Sequence, residues 1–121
     1  MRKKVISALA ATAAVSALVT ATAFAHTEVK STSPGKNKTV SSKLSTVSVT
    51  FTGTIRSGTI KVTGPSGTIS QGNGGRDPRS VKRLRVPIKS GSKKSGTYTA
   101  RWTMKAADGH TQSGSFKFKI K

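Results

Sequence analysis

Two histidines and three acidic residues hold most of the metal-binding capacity of this 121-residue chain. His26 follows Ala23-Phe24-Ala25, a small-x-small pattern of the kind signal peptidase cuts. Cleavage after Ala25 would make His26 the first residue, and its α-amine and imidazole could then close one chelate ring on a single metal ion. The other histidine ends the triplet Asp108-Gly109-His110. Divalent copper favours tetragonal sites of nitrogen and oxygen. His26 and His110 offer the nitrogens, and Asp108 either adds a carboxylate oxygen or hydrogen-bonds a ligand. In an extended segment residues two apart project the same way, which puts Asp108 and His110 on one face. Gly109 between them permits a turn or a close backbone approach. Such a site needs a deprotonated amine and neutral imidazoles, so affinity is expected to fall in acid. The competing reading is that Asp-Gly forms an ordinary hairpin turn and His110 merely faces solvent. Glu28 is either a further outer ligand or the start of the first strand.

The residues before His26 predict export. Arg2, Lys3 and Lys4 form a positive start, and Val5 to Phe24 carries no charge. Removal of residues 1–25 from 121 leaves 96, enough for one small domain at 26–121. An uncleaved membrane anchor is the alternative, because the apolar run is close to spanning length. A cut after Ala23 would instead leave Phe24 first and remove the chelate. The predicted location is periplasmic, or extracellular and associated with the cell wall. With no cysteine, the domain rests on its core alone and thiolate metal sites are excluded.

Charge is the other extreme property. The whole chain has 22 Lys and Arg; without Arg2, Lys3 and Lys4 it keeps 19 against three acids, a formal +16. Such a surface attracts polyanions over long range: anionic lipid, acidic wall polymers or nucleic acid. Lys82, Arg83, Arg85, Lys89, Lys93 and Lys94 are the densest run, and Lys117, Lys119 and Lys121 extend it. Aromatic residues for base stacking are sparse, which argues against specific nucleic-acid binding. A solvated face is the plain reading of these charges.

The elements that must position these groups read as strands. Val47, Val49 and Phe51 alternate with polar residues, as do Ile60 and Val62, and Leu84, Val86 and Ile88. Pro87 marks an edge or a strand end. Tyr98, Ala100, Trp102 and Met104 form a fourth series, and Phe116, Phe118 and Ile120 a fifth. Met104 falls on the apolar phase, so it reads as core rather than as a copper ligand. Gly64-Pro65-Ser66-Gly67 reads as a turn and Gln71 to Ser80 as a mobile loop. The fold class is all-β, a sandwich or barrel. Gly72-Asn73-Gly74-Gly75 lacks the Lys-Ser/Thr of a phosphate-binding loop, and neither histidine has a Ser-His-Asp set.

The stretch from Gly96 to His110, with Tyr98, Trp102 and the Asp-Gly-His triplet, then Ser113 to Phe118, resembles the C-terminal signature of the CopC copper-resistance proteins. The start resembles them too, in His26, Ser31-Thr32-Ser33-Pro34 and Val47 to Phe51. The resemblance implies a Greek-key β-barrel of about seven strands with immunoglobulin-like layering. It implies an exported Cu(II) carrier or buffer for copper homeostasis or resistance, not an enzyme. Its ligands would be His26, through amine and imidazole, with Asp108 and His110. It further suggests a CopD-like inner-membrane copper transporter as partner. The family's methionine-rich copper(I) loop has no counterpart, since residues 64–80 contain no Met, and Thr111 follows the triplet where family members often have proline. Two other functions compete. One is a basic cell-wall or polyanion-binding β-module. The other is a small copper-dependent oxidase of the lytic polysaccharide monooxygenase kind, which 96 residues and few aromatics ill suit.

Overall fold

Alternation along each apolar run dictates a strand with one buried face, and two such sheets close on one another. The computed structural model describes residues 27–121; His26 and the predicted leader lie outside them. Nine strands occur among the described residues: β1 (Val29–Ser33), β2 (Thr39–Val40), β3 (Thr46–Phe51), β4 (Ile55–Gly64), β5 (Gly67–Thr68), β6 (Gly75–Arg76), β7 (Arg83–Pro87), β8 (Gly96–Ala106) and β9 (Thr111–Ile120). One sheet has the order β1-β3-β7-β6 and the other β2-β9-β8-β4-β5. The count exceeds seven because β2, β5 and β6 are two-residue pairings at sheet margins. Pro87 is the last residue of β7, the strand end at which proline is tolerated.

The core lies between the sheets, and every alternating series contributes its apolar phase. Val47, Val49, Phe51, Leu84 and Val86 meet Ile60, Val62, Tyr98, Trp102, Met104, Phe116 and Phe118. Met104 is 1% exposed, which places it in the core as its phase requires. Phe51 meets Trp102 edge-on across the sandwich, with centroids 5.0 Å apart. Tyr98 stacks on Phe118 at 5.9 Å. Its hydroxyl donates to the Lys94 carbonyl at 2.6 Å, so the one polar atom of this buried ring is satisfied. Burial pushes the Tyr98 phenol pKa up from its ordinary value.

The stretch from Gln71 to Ser80 is tied down rather than loose. Ile60 N–H donates to Asn73 O, Gln71 N–H to Pro87 O, and β6 pairs with β7. Gly74, at φ +68°, lets the chain lie against the sheet; a Cβ there would sit 2.6 Å from the Arg85 carbonyl oxygen. Asp77 is buried, accepts from the Arg79 N–H and pairs with Arg83 at 3.3 Å. The Arg79 N–H, followed by Arg83 and Arg85, holds its carboxyl below the usual range against the opposing effect of desolvation.

On the outer face of the larger sheet, Lys61 of β4 stands directly opposite Arg101 of β8. Like charges in register oppose one another. Lys61→Glu is therefore expected to stabilise the fold by about 0.5 kcal/mol at low salt, an effect that shrinks as salt is added. Urea midpoints at two ionic strengths would measure it; an unchanged midpoint at low salt would mean the two side chains do not interact.

Candidate metal centre

The triplet Asp108-Gly109-His110 forms the tip of the long β8–β9 hairpin, whose register runs from Gly96↔Ile120 to Lys105↔Thr111. Gly109 N–H donates to Ala106 O, and Ala106 N–H to His110 O, both at 2.9 Å. This is a three-residue hairpin loop closed by a glycine in the left-handed region, with Gly109 at φ +94°. A side chain at Gly109 would be strained there. Gly109→Ala is expected to lower the unfolding free energy by about 1 kcal/mol, read as a drop in melting temperature; an unchanged value would mean the tip relaxes without strain.

The turn, rather than an extended segment, brings Asp108 and His110 together. Asp108 Oδ1 accepts from the His110 backbone N–H at 2.9 Å, and Oδ2 lies 2.9 Å from His110 Nδ1. An aspartate bonding the backbone two residues on is the ordinary side-chain-closed turn. The bond to the ring is additional and fixes the imidazole's orientation. Both side chains remain open to solvent, at 50% for Asp108 and 71% for His110. The expected Asp-Gly turn is present, and the two side chains meet through that turn and not through an extended segment.

A second loop joins this tip to the beginning of the described chain. Thr52, Gly53 and Thr54 connect β3 to β4. The Glu28 N–H donates to Thr52 Oγ1, and the Thr52 N–H donates to Glu28 O. A Cβ on Gly53 would meet Thr27 Oγ1 at 2.8 Å. From the other side, Ala107 N–H donates to Thr54 O at 3.1 Å. One short connection therefore holds both residues 27–28 and the hairpin tip at the same end of the sandwich. His26, the third predicted ligand, lies outside the described residues. Among the described residues no three His, Cys, Asp or Glu side chains converge on a point; of the predicted ligands, Asp108 and His110 lie together there. Sequence reasoning did not single out Thr52 to Thr54, because their contribution is made through backbone atoms and one hydroxyl.

Comparison with known proteins adds to this geometry. A family model, the CopC domain, matches residues 29–121. The chain belongs to the CopC family. Its members are copper-binding proteins, generally carriers rather than enzymes. The matched residues include both sheets, the Thr52–Thr54 connection and the whole Asp-Gly-His tip, and begin one residue after Glu28. The chain is also 31% identical over 107 residues to Protein YobA of Escherichia coli K12, covering 86% of each. Among solved structures it resembles CopC from Methylosinus trichosporium OB3b, with a TM-score of 0.62, 18% identity, and coverage of 79% of this chain and 94% of that one. It resembles equally PcoC from Escherichia coli, a methionine-rich copper resistance protein, with a TM-score of 0.61, 24% identity, and coverage of 80% and 100%. These likenesses establish the sandwich.

Proposed function

We propose that this CopC-family protein is an exported carrier that holds one Cu(II) ion as cargo at its mature N-terminus. In this reading the leader is cut after Ala25 and the product works in the periplasm or at the cell wall. The His26 amine and imidazole supply two nitrogens and His110 a third. The observation that carries the proposal is the double attachment of the Thr52–Thr54 connection, to Glu28 on one side and Ala107 on the other. It keeps residue 27, the neighbour of His26, at the end of the fold that carries the triplet.

The Asp108–His110 pair favours a division of labour. An ionised carboxylate only accepts hydrogen bonds, so in the neutral imidazole the contact at 2.9 Å puts the proton on Nδ1 and leaves the lone pair on Nε2. Asp108 is then a positioning residue that fixes the orientation of a ligand. Asp108→Ala is expected to weaken Cu(II) binding about 10- to 100-fold while leaving the electron paramagnetic resonance parameters of the saturated complex in place. A changed spectrum would instead make Asp108 a ligand.

Carriage needs binding and ligand exchange, not turnover. An exposed tip, with His110 71% accessible, suits transfer to a second protein, for which a CopD-like membrane transporter is the proposed recipient. Trp102 is the sole tryptophan, and its fluorescence offers a direct titration. Stoichiometric quenching by Cu(II) that is lost in His110→Ala supports the carrier reading; quenching unaffected by that change contradicts it.

A further inference from the structure

The outer face of the larger sheet is built from cations and hydroxyls alone. Register fixes its membership. Lys61 lies opposite Arg101, Thr99 opposite Lys117, Thr97 opposite Lys119 and Lys105 opposite Thr111. The alternate residues of β4, β8 and β9 are the buried apolar series, so these five cations share one exposed face. Between them stand threonines and serines, among them Thr59, Thr103 and Ser113. No acidic residue occurs anywhere in β4, β8 or β9. The chain's three acids lie elsewhere: Glu28 beside Thr52, Asp77 with Arg83 on the smaller sheet, and Asp108 at the hairpin tip.

The densest basic run in the sequence is a weaker candidate. Its members scatter over a turn, the smaller sheet and a loop. Several are also engaged: Arg83 with Asp77, Arg85 with Thr46, Lys89 with the Thr68 carbonyl and Lys93 with the Leu44 carbonyl. Among the described residues, the one such contact made by these five cations is Arg101 with Thr63, itself a hydroxyl on the same face.

We infer that this face is a docking surface for a linear, base-free polyanion with a phosphate-ester or polyphosphate backbone. Charge complementarity carries the inference. Neighbouring strands lie about 4.8 Å apart and residues on one face repeat about every 6.6 Å along each strand. Such a grid sets cations and hydroxyl donors a few ångströms apart, so that several can reach one extended anionic backbone at once. The Lys61–Arg101 juxtaposition disfavours the free protein, and a bound anion between the two side chains relieves it. The face presents no aromatic ring on which bases could stack. It also presents no apolar side chain to enter a bilayer. A polymer recognised through its anionic backbone is the partner that remains. This surface runs along the β8–β9 hairpin and ends at Lys105 and Thr111, beside the tip.

The test uses protein beginning at His26 and long-chain inorganic polyphosphate as the probe. One variant carries K61Q, R101Q, K105Q, K117Q and K119Q. A control with the same net charge carries K30Q, K43Q, R79Q, K82Q and K94Q. The first is expected to lose at least tenfold in affinity and the control less than threefold. Raising salt from 50 to 200 mM should weaken wild-type binding on the order of 100-fold. Amide shifts in the nuclear magnetic resonance spectrum of the unmodified protein, which do not depend on any variant folding, should cluster on β4, β8 and β9. Equal losses in both variants, or shifts spread over both sheets, would reduce the effect to net charge and overturn the proposal. Tighter binding to phosphatidylglycerol vesicles or to single-stranded DNA than to polyphosphate would overturn the choice of partner.

Discussion

Leaving one extra residue in front of His26 should weaken Cu(II) binding on the order of 100-fold or more. The amine and the imidazole of an N-terminal histidine belong to one residue. When one nitrogen binds, the other is held nearby, and linking two donors in this way raises affinity by 10²–10⁴ without any new contact. A retained methionine or tag turns the amine into an amide and removes the chelate, yet it leaves Asp108, His110 and both sheets untouched. Fold stability should therefore be unchanged while copper affinity collapses. Protein made with and without a cleavable extension, titrated side by side, measures the difference. Equal affinities would mean that His26 binds through its ring alone or not at all. They would leave the polyanion face unaffected, since that rests on different residues.

The largest effect on stability is expected from Phe51→Ala, a loss of about 4 kcal/mol. Phe51 is fully buried, sits edge-on to Trp102 and ends β3 immediately before Thr52. Truncation leaves a cavity between the sheets and removes the aromatic contact. A domain of this size with no disulfide has only a few kcal/mol in reserve, so the variant is expected to be largely unfolded near 37 °C. Partial unfolding should begin at the site, because the Thr52–Thr54 connection hangs from the end of this strand. Denaturant melts followed by circular dichroism would show it; a loss below about 1 kcal/mol would mean that neighbouring side chains collapse into the space.

Much of the fold is legible in the sequence because burial on one face of a strand writes a period of two. Every apolar series from Val47 to Ile120 occupies the core. The short pairings β2, β5 and β6 are not legible, since two residues carry no period. Gln71 to Ser80 reads as a mobile loop because its glycines and polar residues resemble any turn; its order comes from backbone bonds to β4 and β7 and from the buried Asp77. The triplet is legible as a candidate by residue type. Its geometry is not, because the pairing of Asp108 with His110 depends on a turn closed by Gly109. The latch through Thr52 and Thr54 leaves no mark of its own, since most of its atoms are backbone. The basic face shows the same limit from another side: a run of charges is visible along the chain, whereas coplanar charges become visible only with the register.

In the proposed carrier the mature N-terminus and the hairpin tip form one copper site. The most direct test is a Cu(II) titration with electron paramagnetic resonance on untagged protein beginning at His26. A one-to-one tight complex with a nitrogen-rich type-2 spectrum, whose nitrogen couplings decrease in His110→Ala, is the result predicted. Weak or nonstoichiometric binding, with a spectrum indifferent to both His26 and His110, would contradict it.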